Sequence, residues 1–136
     1  MTRARRFTTA LTVCTLAALT AACSSGGGGP VETPQQFVDR DPLASCGELT
    51  LAQGEEIPEE AFACLTEAGE EGAELAVTRP TTEGEPITEY YRVLPGGGWE
   101  AYIDASQDSS GGGWWYTDCP DAQTIEDLAA CQGAPL

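Results

Sequence analysis

Four of the six cysteines constrain this chain more than any other feature: Cys46, Cys64, Cys119 and Cys131. They follow an N-terminal stretch with an export pattern. Arg3, Arg5 and Arg6 give a positive start, and residues 7–22 form a threonine-diluted apolar run that ends in Thr20, Ala21 and Ala22. The run is shorter than the roughly 20 residues that cross a bilayer. An even set of four cysteines in an exported domain of this size reads as two disulfides formed in an oxidising compartment. Three connectivities are open. The favoured one is Cys46–Cys64 with Cys119–Cys131, because each bridge closes a short local loop and joins an extended segment to the helix that follows it. A bridge closing about 15 residues contributes roughly 3 kcal/mol in the chain-entropy description. That is a large share of the roughly 5–15 kcal/mol that holds a small domain folded. A redox or metal role fits these cysteines poorly, since the chain has no Cys-x-x-Cys and no histidine.

Charge narrows the function classes. The 136 residues, enough for one small domain, carry six basic residues, all arginine, against 22 acids, a net charge of −16. Such a chain repels a phosphate backbone, so nucleic acid is excluded as a partner, and anionic membrane surfaces are disfavoured for the same reason. Without histidine there is no Ser-His or Cys-His pair. No catalytic residue, metal site or cofactor is assigned. Paired carboxylates can hydrolyse glycosides, but with 22 acids in the chain such a coincidence carries no signal.

Cys23 is followed by Ser24, Ser25, four glycines and Pro30, a flexible tether. The segment Leu19-Thr20-Ala21-Ala22-Cys23 resembles a bacterial lipoprotein signal, in which a Leu-Ala-Ala-Cys-like box is cleaved just before a cysteine that becomes lipid-modified. The resemblance implies residues 1–22 as a lipoprotein signal peptide and Cys23 as the lipid-attachment site. It also implies a membrane partner reached through a diacylglycerol-type anchor, and a location on the outer face of the cytoplasmic membrane. Arg5-Arg6 leaves the export route open between the general secretory and twin-arginine pathways. Cleavage would remove three arginines and no acid, leaving a chain still more acidic, suited to attracting basic partners or simply to staying solvated.

Residues 23–45 read as a flexible tether, in which residues 30–44, with Phe37 and Val38 as their only apolar anchors, form a linker or a short helix, and residues 46–136 read as a small disulfide-stabilised α+β domain. Glu48-Leu49-Thr50-Leu51 alternates and predicts a short strand. Ile57-Pro58-Glu59-Glu60 opens a helix, with proline suited to the first position and acids at the positive end of the dipole. Ala61, Cys64, Leu65 and Ala68 form its apolar stripe. From residue 73 the period changes to two. Residues 73–79, 87–94, 99–104 and 114–119 alternate, separated by turn-forming stretches at 82–86, 95–98 and 107–113. Thr124-Ile125-Glu126-Asp127 then starts a last helix in a capping-box-like manner, and Gly133 and Pro135 end it. The expected fold class is α+β: one amphipathic helix packed on a four-stranded antiparallel meander, with a short disulfide-tied C-terminal helix.

The alternation assigns Leu75, Val77, Ile87, Tyr91, Val93, Trp99, Ala101 and Ile103 to the helix-covered face. It leaves Tyr90, Arg92, Glu100, Tyr102 and Trp115 on the other. Tyr90, Arg92, Tyr102 and Trp115 are therefore a candidate binding face, because aromatic rings with polar tips suit a sugar ring or a peptide. The competing reading covers that face with the Phe37 segment or the C-terminal helix, and makes Arg92 and Glu100 a cross-strand pair. Residues 104–110 place oxygen ligands at alternate positions as a calcium loop does, but Ser109 stands where such a loop needs glycine and Trp115 where it needs glutamate. A polar hairpin loop is the expectation there.

The Thr82–Ile87 turn, the Asp104–Asp108 segment, Thr117-Asp118-Cys119 and Cys131-Gln132-Gly133 resemble a small domain of unknown function found in bacterial secreted proteins and lipoproteins. The resemblance spans residues 62–133. It implies an exported α+β domain with Cys119 and Cys131 paired and no assigned activity. The functional expectation is a monomeric, lipid-anchored cell-surface lipoprotein, a non-enzymatic binding or accessory domain with an envelope protein or glycan as partner. The alternative is an acidic inhibitor of a basic extracellular enzyme, such as a cell-wall hydrolase or protease.

Overall fold

The structure, a computed structural model, describes residues 30–136. The expected signal peptide at residues 1–22, Cys23 and the glycine stretch fall outside the described residues. In chain order the elements are α1 (Gln35–Val38), β1 (Ala44–Thr50), α2 (Glu59–Glu67), a 3-10 turn (Gly69–Glu71), β2 (Ala73–Pro80), β3 (Pro86–Val93), β4 (Trp99–Asp104), β5 (Trp114–Cys119), α3 (Ile125–Ala130) and β6 (Ala134–Pro135).

The four alternating segments form an antiparallel run, β2 to β5. Yet the expected fold class is corrected. The sheet has six strands in the order β1-β2-β3-β4-β5-β6 and is mixed, so the protein is mostly β, with few and short helices, and not a four-stranded meander under one amphipathic helix. Strand β1 runs parallel to β2, and the chain returns between them through α2, the crossover that parallel neighbours require. At the opposite edge Trp115 and Tyr116 of β5 pair with Pro135 and Ala134 of β6. The Glu48–Leu51 alternation marks the second half of β1, but its first half and β6 lie where period-two reading has little to work with. Strand β1 opens on Ala44, Ser45 and Gly47, and its register shifts between Ser45 and Glu48, with Gly47 at φ 111°. Strand β6 has only two residues. What recruits them is backbone demand: the exposed N–H and C=O groups along β2 and β5 need partners. Helix α1 and the start of β1 lie within residues 30–44, the span read as a linker or a short helix.

One sheet face carries the apolar core. Leu75 and Val77 of β2, Val93 of β3, Trp99 and Ala101 of β4 and Cys119 of β5 are buried there beneath Ala61 and Leu65 of α2 and Leu128 of α3. Leu65, Leu75 and Val77 have no exposed surface, and full burial of each is worth roughly 1.5–3 kcal/mol. Helix α2 packs over β1 to β3, and α3 over β4 and β5. Gly72 must be glycine: its φ is 73°, and a Cβ there would stand 2.7 Å from the Val93 carbonyl oxygen. Thr124 caps α3 by accepting the Asp127 N–H at 3.2 Å, while the Asp127 carboxylate accepts the Thr124 and Gln123 N–H groups.

The disulfides take the favoured local connectivity. Cys46–Cys64 ties β1 to α2, and Cys119–Cys131 ties the end of β5 to the end of α3.

Candidate functional site

The two sheet faces differ, and the expected binding residues divide between them. On the face opposite the core, register places Glu74, Arg92 and Glu100 side by side on β2, β3 and β4. Arg92 is 2% exposed. It donates through Nη1 to Glu100 and through Nη2 to the Asp41 carbonyl. Its Nε lies 2.9 Å from Glu74 Oε2 but is not aimed at it, so this contact is one of charge rather than a hydrogen bond. Arg40 grips the same Glu74 with Nε at 3.0 Å and Nη2 at 3.1 Å, and the Tyr116 hydroxyl donates to Glu100 Oε2 at 2.8 Å.

Residues 34–41 strap this ladder down. Arg40 donates to the Phe37 carbonyl and lays its guanidinium 3.7 Å from the centre of the Phe37 ring. The ring sits 4.7 Å from Tyr90, 5.3 Å from Tyr102 and 4.5 Å from Trp114, centre to centre. Tyr90, Arg92 and Tyr102 therefore share a face as expected, but Phe37 occupies it, and Arg92 pairs across the strand with Glu100. Burial raises the phenol pKa of Tyr90 and of Tyr102. Tyr116 is held well above its ordinary value by burial and by its bond to Glu100.

Trp115 is not on that face. Strands β4 and β5 pair Ile103 with Trp115 and Asp104 with Trp114, so Trp114 joins the Phe37 cluster and Trp115 stands on the core side. Two adjacent tryptophans after a glycine run leave the side-chain parity open, and a one-residue slip exchanges the faces.

On the core side, between α3 and the sheet, lies an open groove of about 380 Å³. Its floor and walls include Ile103 and Trp115 from the sheet and Ile125 and Leu128 from α3. Trp115 is 43% exposed and is the one exposed aromatic ring among the described residues. Glu89 and Tyr91 form its polar end. Glu89 Oε2 accepts from Arg79 Nη1 and from the Tyr91 hydroxyl, both at 2.8 Å, whereas Oε1 accepts no hydrogen bond. Burial first, then the Glu89 charge, pushes the Tyr91 phenol well above its ordinary pKa, so it stays a neutral donor. Cys131 lines the groove, and its bridge to Cys119 pins α3 against β5. The concavity is thus built into the fold.

Sequence reasoning passed over Glu89 and Arg79. The signal was present: Glu89 is the one carboxylate in the row Ile87, Glu89, Tyr91, Val93 that alternation assigns to the apolar face.

Residues 104–112 form a hairpin loop whose acids serve its own amides. Asp104 accepts from the Ser106 N–H at 2.9 Å, and Asp108 accepts the Ser110 N–H and hydroxyl, which lowers its carboxyl pKa. Among the described residues no cluster of three or more metal-ligating side chains occurs, and no helix is long and apolar enough to cross a membrane. Arg40, Arg79 and Arg92, the described cations, are all ion-paired: with Glu74, with Glu89, and with both Glu74 and Glu100.

No protein-family profile, curated protein or solved structure matches the chain. The resemblances to a lipoprotein signal and to a small secreted domain therefore rest on the residues quoted for them.

Proposed function

We propose that this protein is an exported, lipid-anchored binding domain that presents the Trp115 groove outside the cytoplasmic membrane. The anchor is argued from the Leu19–Cys23 segment and the glycine tether, and residence in an oxidising compartment from the two bridges. The observation that carries the binding role is the groove itself, an apolar floor left open with a large ring exposed at its side. Exposed apolar surface of this kind marks interaction sites. Binding is favoured over catalysis because, among the described residues, Glu89 is the only carboxylate lining the groove and is already engaged by Arg79 and Tyr91. The seat of the ligand is accordingly Trp115 with its groove, and Tyr90, Arg92 and Tyr102 serve the strap.

Two measurements test this reading. In a bacterial host the full chain should fractionate with membranes and its Cys23→Ser form should not; equal distribution overturns the anchor. A set of small apolar fragments should shift amide resonances clustered at Ile103, Trp115, Ile125 and Leu128. Shifts confined to the Phe37 face overturn the groove. The second reading, an acidic inhibitor of a basic extracellular enzyme, draws on the carboxylates left over once the described arginines are paired. It requires an association rate that falls steeply with ionic strength.

A further inference from the structure

We infer that the ligand of the Trp115 groove is a small cationic amphiphile, with an apolar body on Trp115, Ile103, Ile125 and Leu128 and an amine at Glu89 Oε1. The inference rests on the groove reading above and adds the chemical class of the ligand.

Volume comes first: about 380 Å³ lies near the low end of the roughly 300–1,000 Å³ typical of small-ligand sites. An apolar body with one head group fits, and an extended polymer does not. The polar end of the groove then selects the head group. Arg79 and Tyr91 both bond Glu89 Oε2, which fixes the carboxylate and leaves Oε1 as an oriented acceptor. A protonated amine makes a charge-assisted bond there, stronger than that of a neutral hydroxyl.

An anionic head group meets the opposite situation. The cation nearest the groove, Arg79, is held by Glu89, and Arg40 and Arg92 are held by Glu74 and Glu100 on the far face. With no lysine or histidine in the chain, no described side chain offers a carboxylate or phosphate an uncommitted positive charge. All 22 acids fall within the described residues, so the field around the domain draws in cations and turns away anions.

The test uses the exported full chain and three probes with one body: octylammonium, octyl glucoside and octanoate, each below its micellar concentration. Trp115 emission and amide shifts are read together; Trp99 and Trp114 are 3% and 5% exposed and respond little. Octylammonium should saturate the groove at a concentration at least tenfold below that of octyl glucoside, and octanoate should not bind. Glu89→Gln should bring octylammonium to the level of the glucoside, Arg79→Gln should tighten it, and Glu56→Gln, an exposed acid ahead of α2, should change nothing. Near-ultraviolet circular dichroism checks that each variant is folded.

Equal binding of all three probes overturns the inference while the groove survives. Octylammonium binding that weakens as much in Glu56→Gln as in Glu89→Gln reduces it to surface charge and also overturns the inference. Failure of every probe to reach the groove overturns the groove reading itself.

Discussion

The two faces of the β2–β5 sheet are built from the same strands and reach opposite ends. One gathers more aromatic rings and, among the described residues, the only buried charges, Arg92 and Glu100, and is closed by Phe37, Arg40 and the Asp41 carbonyl. The other keeps a single exposed ring, Trp115, beside an apolar groove. Buried charges must be paired and their remaining donors satisfied, or the desolvation penalty is left uncompensated. The ladder therefore needs a cover, and residues 34–41 supply it. The groove side has no such debt, since Glu89 and Arg79 keep contact with water at 26% and 31% side-chain exposure. A concentration of aromatic residues marks a seat, and what the chain lays over that seat decides whether it is a site.

The largest expected effect breaks the ladder. Arg92→Met leaves Glu100 buried without its partner and strips the Asp41 carbonyl of a donor, which should cost about 3–5 kcal/mol in chemical denaturation. A loss under about 1 kcal/mol would mean that the pair makes no net demand on its surroundings and that the strap closes for other reasons. Next comes the bridge at the groove. Replacing Cys119 and Cys131 together by serine releases a 12-residue loop and should cost about 2–3 kcal/mol. It should also loosen α3, seen as faster amide exchange at Leu128 with the Tyr90 face little changed. Third, Phe37→Ala removes three aromatic contacts, each worth about 0.5–1.5 kcal/mol beyond area. The Trp114 emission should move to the red as water reaches the opened face.

These expectations mix what the sequence made legible with what it hid. Residues 73–119 alternate strongly enough that each of β2 to β5 could be placed, and the bridge partners followed from loop length. Strands β1 and β6 were not legible as members of one sheet, because Ser45, Gly47, Ala134 and Pro135 carry no hydrophobic period and owe their conformation to the strand beside them. The candidate face was half legible. Register puts Tyr90, Arg92 and Tyr102 on one face, and the Phe37 cover stood only as the competing reading, because Phe37 lies far from them in sequence and its docking leaves no local mark. Trp115 was misplaced by one residue of parity, which only the Ile103–Trp115 register resolves.

Alkaline pH probes both faces at once. The phenols of Tyr116 and Tyr91 are raised from an ordinary value of 10.0, so the unfolded chain loses these protons first. Their contribution is whole below about pH 10 and falls as pH rises toward the folded values. The melting temperature should therefore drop between pH 8 and pH 11, and less so in Tyr116→Phe or Tyr91→Phe. An undiminished drop in both variants would remove the two phenols as its source.

The smallest effect on stability sharpens the comparison most. Trp115→Ala removes a ring that is 43% exposed and should change stability within about 0.5 kcal/mol, as for a surface substitution. Phe37→Ala, also an aromatic truncation on the sheet surface, should cost several times more. If the groove is the working face, the two should exchange rank in any binding measurement, with Trp115→Ala abolishing capture of octylammonium and Phe37→Ala leaving it nearly intact. A stability cost for Trp115→Ala equal to that for Phe37→Ala would make the indole a structural plug, and the two faces would then differ in degree of cover rather than in kind.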